Sequence, residues 1–397
     1  MISYVAACML GIISGIFTGL IPGIHPNTVI FTSLPLYLST SIGQGIYVSF
    51  VTGLSVSHTF HDFLPAIFLS TPDAEAALSV VAAPKMVEKG KGLEAFLYTV
   101  RGGLTSILVI TLLAVPLFLY MQEAYSFIPG FMHYILVFFL LYVLLHSDTL
   151  KRSLLVVVFS GALGVIAFQS NINQQFVLIP IFSGLFAVPG IASMLGEKFQ
   201  IPEQNSPDQS LLKFSSSGVA GTLAGLLAGT IPGIGAAVST SFMTPLMEES
   251  KKSFLTAMGA VNTSDIIFSL ISLALIGRAR SGVSVALQAI SQPSTSQIMV
   301  FMLLSVFSVL VSVPVALKVA ERYQSLLQRF EVGKVLYAVL ATILLVTVSL
   351  TGAGGLLLLL ASSCIGMAAM RFDERKVCMA VLILPSIFSF AGITIFM

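Results

Sequence analysis

Long apolar runs separated by short polar segments dominate the chain. Apolar character fills the N-terminal stretch 1–23 and the segments at roughly 98–120, 131–147, 153–169, 176–195, 298–317, 335–350, 353–370 and 377–396. A helix needs about 20 apolar residues to cross the hydrocarbon core of a bilayer. Backbone groups in lipid must bond within their own segment, which favours helices. The pattern therefore predicts an all-α, polytopic membrane protein whose N-terminal run is its first span.

Composition supports this prediction. Only 9% of the 397 residues are charged and 56% are apolar, whereas soluble domains carry about 25% charged residues. The formal net charge of +2 provides no basic surface for nucleic acid. These values exclude a soluble globular enzyme, a disordered chain and a nucleic-acid-binding protein. We expect a multi-pass protein of the cell membrane, with the lipid bilayer as a partner.

Two segments rich in glycine and proline repeat each other at a fixed offset. Residues 11–36 (GIISGIFTGLIPGIHPNTVIFTSLPL) and 221–246 (GTLAGLLAGTIPGIGAAVSTSFMTPL) share nine of 26 positions, including four glycines and two prolines. Chance similarity between apolar helices would match leucine and isoleucine instead. The chain is therefore predicted to be duplicated, with a first repeat over 1–196, a linker over 197–216 and a second repeat over 217–397.

The positions of the basic residues indicate how the two repeats are oriented. In the first repeat, basic residues precede the first and third of its last four apolar segments; in the second repeat, they precede the second and fourth. Short loops rich in lysine and arginine lie in the cytoplasm. Equivalent loops therefore fall on opposite sides of the membrane. This is the pattern of two inverted-topology repeats, an architecture common among transporters.

Each repeat contains a Pro-Gly pair inside its first apolar segment. Proline removes a backbone donor and glycine adds freedom, so broken or re-entrant helices are predicted at both PGI motifs. Half-helix N-termini at such breaks favour an anion. The predicted substrate-binding residues are Pro22, Gly23, His25, Asn27, Pro232, Gly233, Gly235 and Ser239. The alternative is a packing kink, because Gly11, Gly15 and Gly19 are spaced by four residues, as on a close helix-packing face.

Two acidic residues lie deep within apolar sequence, at comparable places in the two repeats. Ionisable groups in a membrane are costly and usually functional. Asp62 and Asp265, with Asn262 and Ser264, are therefore predicted to handle a coupling ion, either Na⁺ or H⁺. The alternative is a helix-capping role. His58 and His61 beside Asp62 form a weak metal pattern; the second repeat has no matching histidine, so no metal site and no cofactor are expected.

Four stretches resemble the large permease subunit of tripartite tricarboxylate transporters, the TctA family. They are GLIPGIHPN at 19–27, FLSTPDAEAALSVVAAPKMVEKGKGLEAF at 68–96, GTIPGIGAA at 229–237 and AVNTSDIIFS at 260–269. The chain resembles a short, divergent member. The resemblance implies ion-driven secondary uptake of carboxylates, with an extracytoplasmic binding protein and a small membrane subunit as partners.

The sequence thus predicts a secondary transporter of a small organic anion, such as a carboxylate, rather than an enzyme. A carrier or flippase of an anionic lipid such as polyprenyl phosphate would use the same helix N-termini, and it stays open as the alternative. An intramembrane hydrolase using His58, His61 and Asp62 is disfavoured because the duplication does not repeat those groups. A non-transporting scaffold would not need two matched broken helices.

Overall fold

The computed structural model describes residues 2–72, 76–147, 149–196, 201–205, 207, 213–231, 234–247, 250–277, 279, 281–290 and 295–393. Over these residues the protein is helical and contains no strand. The all-α prediction is therefore confirmed.

The N-terminal half contains eleven α-helices and one π turn within its described residues. They are α1 (Ile2–Leu20), α2 (Pro26–Leu38), α3 (Gln44–His61), α4 (Phe63–Leu69), α5 (Ser79–Ala82), α6 (Pro84–Val87), α7 (Gly92–Phe127), α8 (Met132–Leu145), α9 (Leu150–Gln169), α10 (Leu178–Phe182), the π turn Ser183–Ala187 and α11 (Val188–Gly196). A 3₁₀ turn, Pro129–Phe131, precedes α8.

The described part of the C-terminal half follows a similar order. Its helices are α12 (Ser216–Thr230), α13 (Ala236–Met247), α14 (Lys251–Ile276), α15 (Gly282–Ile290), α16 (Thr295–Arg329), α17 (Val332–Arg371) and α18 (Ala380–Phe390), with a 3₁₀ turn at Arg375–Met379 before the last.

Seven helices in the described residues are long and apolar enough to cross a membrane. They are α1, α7, α9, the continuous α10–α11 segment, α14, α16 and α17. At 1.5 Å per residue, the 40 residues of α17 would extend about 60 Å, roughly twice the hydrocarbon thickness of a bilayer. Gly352 interrupts α17 with non-helical angles (φ 63°, ψ −158°). This break falls between the two apolar segments predicted at 335–350 and 353–370.

Two helices, α3 and α14, form the centre of the molecule. Every residue of α14 from Phe254 to Leu273 is buried, and so is nearly all of α3 from Tyr47 to His61. A helix that is buried on all sides needs neighbours on all sides. α1 lies along α3 and α12 lies along α14, while α16 packs on α3 and α7 packs on α14. Each central helix therefore contacts helices from both halves.

The regularly spaced glycines allow α1 to approach α3 closely. A Cβ atom at Gly15 would overlap the backbone of Leu54, and one at Gly19 would lie 2.6 Å from the Cβ of His61. The second half repeats this contact, because a Cβ at Gly229 would lie 2.7 Å from the Cβ of Phe268 on α14. The close-packing role predicted for these glycines is confirmed, and it coexists with the breaks that follow them.

Part of the predicted linker is bound to the rest of the protein. The Gln204 side chain accepts a hydrogen bond from the backbone N–H of Gly92 at 2.6 Å and donates one to the carbonyl of Val87 at 3.1 Å. The N–H of Asn205 donates to the carbonyl of Gly90 at 2.8 Å. Ile201 is buried in the core. Residues 201–205 therefore act as a clamp on the turn before α7 and not as a solvated tether.

Candidate functional site

The first PGI motif breaks the helix as predicted. α1 ends at Leu20, and α2 begins at Pro26, where the missing N–H of proline costs no helical bond. Gly23 has φ +90°, a conformation that costs other residues roughly 1–2 kcal/mol. The Nδ1 of His25 caps α2 by accepting a hydrogen bond from the N–H of Asn27 at 3.2 Å. The motif thus produces a new helix N-terminus inside the protein.

The second motif lies at the equivalent place between α12 and α13. α12 ends at Thr230 and α13 begins at Ala236, while Pro232 and Gly233 lie outside the described residues. The N–H of Ser239 donates to the carbonyl of Gly235 at 3.0 Å, in the first turn of α13. The buried hydroxyl of Ser239 makes no hydrogen bond.

A cavity of about 90 Å³ opens beside the first break. It lies between the α1–α2 junction, the π turn and α17, and is lined by Pro22, Gly23, His25, Asn27, Thr28, Pro72, Gln175, Leu178, Ile179, Phe182, Ser183, Ala187 and Ile343. Four predicted substrate-binding residues, Pro22, Gly23, His25 and Asn27, therefore line one cavity.

The cavity contains polar groups that the protein itself does not satisfy. The buried Oδ1 of Asn27 and Oγ1 of Thr28 have no hydrogen-bond partner. The hydroxyl of Ser183, a residue that is 8% exposed, also has no hydrogen-bond partner among the described residues. Buried polar atoms are normally paired, and an orphaned group requires an explanation such as a ligand or water. Ser183 begins the π turn, a type of irregularity that is frequent at functional sites.

Asp62 and Asn262 join the two central helices. The Nδ2 of Asn262 donates to the Oδ2 of Asp62 at 2.8 Å, between residues 200 positions apart. One turn away, the hydroxyls of Thr59 and Thr263 lie 3.3 Å apart. Asp62 is 2% exposed and sits at the junction of α3 and α4. Two of the four predicted ion-coupling residues are therefore in direct contact.

Histidines connect this contact to the first break. The Nδ1 of His58 lies 3.0 Å from the hydroxyl of Thr18 on α1, and the rings of His25 and His58 meet edge to face at 5.3 Å. A second cavity of about 10 Å³ is lined by Thr18, His58, Asp62 and Thr71, together with the backbone of the break. Its volume is close to that of one water-sized sphere, which is roughly 10–15 Å³.

The other two predicted ion-coupling residues have different surroundings. The hydroxyl of Ser264 donates to the carbonyls of Ala260 and Val261 in its own helix, and it faces Gly225 of α12. Asp265 is buried on α14, one turn beyond Asn262. Among the residues described, no three histidine, cysteine, aspartate or glutamate side chains are grouped closely enough to hold a metal ion.

The sequence reasoning missed several polar groups of this region. Ser183, Thr28 and Thr18 line the two cavities, and all three are common helix or turn residues without a motif. The position of Thr28 in the first turn of α2 could have identified it as a cavity residue from the sequence. Ser183 lies 160 residues from the break, and only packing brings it there.

The short helices that follow the two breaks differ in how closely they are packed. Near the second break, Phe242 of α13 packs against Phe139 and Tyr142 of α8, with ring centroids 4.4 and 4.5 Å apart, respectively. The hydroxyl of Ser241 also donates to the carbonyl of Lys376 at 2.9 Å. In α2, only Pro26 and Ile30 are buried. The first break therefore faces an open cavity, whereas the described part of α13 is closely packed.

Comparison with known proteins identifies a family and a relative. The sequence model of the tripartite tricarboxylate transporter TctA family matches residues 5–381. The "Uncharacterized protein MJ1079" of Methanocaldococcus jannaschii is 31% identical over 316 residues, which cover 78% of this chain and 77% of the relative. No solved structure matches the chain. The family match extends far beyond the four stretches that first indicated it.

Proposed function

The chain belongs to the tripartite tricarboxylate transporter TctA family, and from this membership we propose that it is an ion-coupled secondary transporter of a small organic anion. It is a multi-pass membrane protein of a transporter family. A membrane permease of this kind moves its substrate without covalent chemistry, so we assign it no enzymatic activity. We place it in the cell membrane.

The observation that carries this proposal is the cavity at the first break. It combines the N-terminus of α2 with buried, unsatisfied side-chain groups of Asn27 and Thr28. A helix N-terminus bears a partial positive charge, and discontinuous helices of this type bind anionic substrate groups in other transporters.

We propose that the two halves are inverted repeats and that the second break is the counterpart of the first. The repeated order of a glycine-lined helix, a break, a short helix and a buried central helix supports this proposal. Pro232, Gly233, Gly235 and Ser239 would then contact the substrate when the second break opens. Alternating access would exchange the open and covered states of the two breaks.

Asp62 and Asn262 are our proposed centre of ion coupling. The carboxylate is buried, and burying a charge is costly unless it is paired. A proton or Na⁺ entering the small cavity beside Asp62 and His58 would neutralise this charge. Asp265 remains a second candidate, whereas the hydroxyl of Ser264 bonds to its own helix and is better assigned to packing.

The family description also supports partners of a definite kind. Tripartite transporters combine a permease with a binding protein and a small membrane subunit. We propose an extracytoplasmic binding protein and a small membrane subunit for this chain. Co-purification of both with the tagged permease would test that assignment.

The test of transport is uptake into proteoliposomes. The full chain, reconstituted with and without its partners, should accumulate a radiolabelled carboxylate when a Na⁺ or pH gradient is imposed. Gly23→Ala should impair uptake because it strains the break. Gly43→Ala is the matched control, because a Cβ there meets nothing within 4 Å and its φ is −62°.

Two results would contradict the proposal. Equal uptake by the wild type and by Gly23→Ala would show that transport does not depend on the conformation of the first break. A tightly bound anionic lipid in the purified protein, together with no uptake of any carboxylate, would favour the lipid-carrier alternative.

A further inference from the structure

We infer that the cavity at the first break selects a small monocarboxylate with a short apolar body, and not a tricarboxylate. This inference rests on the proposed transport function and names the substrate class of the same site. The tricarboxylate in the family's description would require several positive charges, whereas the described wall of this cavity contains neither lysine nor arginine.

The first argument is charge. The N-terminus of α2 provides the equivalent of about half a positive charge. This suffices for one carboxylate. Each further carboxylate would be taken out of water without a partner, at a desolvation cost of several kcal/mol per ion. The described polar groups that remain are neutral, namely Asn27, Thr28, Gln175 and Ser183.

The second argument is the size and polarity of the cavity. Its volume of about 90 Å³ is several times the roughly 10–15 Å³ that one water-sized sphere needs, so it can hold a small organic molecule. Part of the cavity wall is apolar and is formed by Leu178, Ile179, Phe182, Ala187 and Ile343. A ligand that fits both the polar and the apolar lining has one charged head and a short hydrocarbon body.

The third argument is the set of unsatisfied donors. Ser183 is more than nine-tenths buried and lines the cavity, and its hydroxyl has no hydrogen-bond partner among the described residues. The hydroxyl of Thr28 is likewise buried and unpaired. A hydroxyl can rotate to donate to either oxygen of a carboxylate. Asn27 donates through its amide nitrogen once that group turns over. These groups form a neutral receptor for a single carboxylate.

The test is competition in proteoliposomes that contain the full chain. Uptake of radiolabelled propionate or butyrate is measured against unlabelled monocarboxylates, succinate and citrate at matched ionic strength. We expect the monocarboxylates to compete at least about ten-fold better than citrate, because each unpaired buried charge costs well over the 1.4 kcal/mol that a factor of ten represents. Ligand-induced shifts in melting temperature of the purified protein should follow the same order.

A variant of a cavity residue tests whether the monocarboxylate binds in this cavity. Ser183→Ala should weaken monocarboxylate binding by roughly ten-fold or more, since a hydrogen bond to a charged group contributes about 1.5–3 kcal/mol. Ser325→Ala is the control, because its hydroxyl bonds only to the carbonyl of Arg322 on an exposed surface. Both variants should keep the melting temperature of the wild type without ligand.

The outcomes separate the two proposals. Citrate competing as well as or better than the monocarboxylates would overturn this inference and leave carboxylate transport intact. An unchanged monocarboxylate affinity in Ser183→Ala would also overturn it. Failure of every carboxylate to be taken up or to stabilise the protein would overturn the transport proposal itself.

Discussion

At the scale of single residues, the contact between Asp62 and Asn262 brings the chemistry of the two halves together. The amide of Asn262 donates to a carboxylate that is 2% exposed. A buried charge that loses a hydrogen-bond donor is destabilised by several kcal/mol, and ionisable groups in a membrane are usually functional. The neighbouring ring of His58 and the small cavity beside it provide a place for the neutralising ion.

The variant Asp62→Asn should therefore abolish the coupling of transport to the ion gradient and leave substrate binding intact. The amide has the size of the carboxylate but cannot take up a proton or a cation's charge. We expect ion-gradient-driven accumulation to be abolished, while exchange of labelled for unlabelled substrate continues. Both are measured in the same proteoliposomes.

Glu331→Gln is the control for Asp62→Asn, because it removes a carboxylate from an exposed ion pair with Lys334. Exposed pairs of this type contribute little. Normal gradient-driven uptake by Asp62→Asn would exclude this carboxylate from coupling and direct attention to Asp265.

At the scale of helices, small residues determine how closely the central helices pack. α7 crosses α14 where Gly102 and Gly259 face each other's helices, and a Cβ at either position would overlap a backbone carbonyl. In membranes, close backbone approach of this kind replaces the hydrophobic effect as a source of helix association. The crossing fixes a helix of the N-terminal half against the central helix of the C-terminal half.

Gly259→Ala should consequently destabilise the protein by about 1–3 kcal/mol, the usual cost of overpacking. The added methyl would meet the backbone of Thr99, which has no flexible end that could move aside. Gly130→Ala is the matched control, since nothing lies within 4 Å of a Cβ there. Melting temperatures of the purified variants in one detergent provide the measurement. Equal melting temperatures for the two variants would mean that α7 and α14 pack less closely than described.

The sequence allowed prediction of those elements that depend on local chemistry. The break at Pro22-Gly23 follows from the backbone properties of two residue types, and the Gly11–Gly15–Gly19 spacing follows from helical periodicity. The pairing of Asp62 with Asn262 could not be predicted, because a contact over 200 positions depends on how α3 and α14 pack. Ser183 was missed for the same reason: the π turn has no sequence signature in an apolar run.

At the scale of the whole molecule, the short helices α2 and α13 that follow the two breaks pack differently. The first break faces a cavity, while α13 is held by an aromatic cluster of Phe138, Phe139, Tyr142 and Phe242. If the halves exchange roles during transport, this cluster must separate each time the second break opens. The packing of Phe242 then contributes to the free-energy difference between the two states.

Phe242→Ala should shift the population toward the state in which the second break is open. Phe242 is half-buried, so its truncation should remove less than the about 3–5 kcal/mol that a fully buried phenylalanine contributes to the packed state. This is still a substantial part of the ~5.5 kcal/mol that takes a two-state equilibrium from 1:99 to 99:1. The reporter is a cysteine at Ser239, which is buried in the covered state, in a background without Cys8, Cys364 and Cys378.

A membrane-impermeant thiol reagent should modify Ser239→Cys slowly in the parent and much faster with Phe242→Ala. Thr28→Cys should change in the opposite direction, because it lines the open cavity. Opposite changes at the two sites are required if one movement opens one break and closes the other. Faster labelling at both positions would instead indicate local loosening of α13, and the two breaks would then not be coupled.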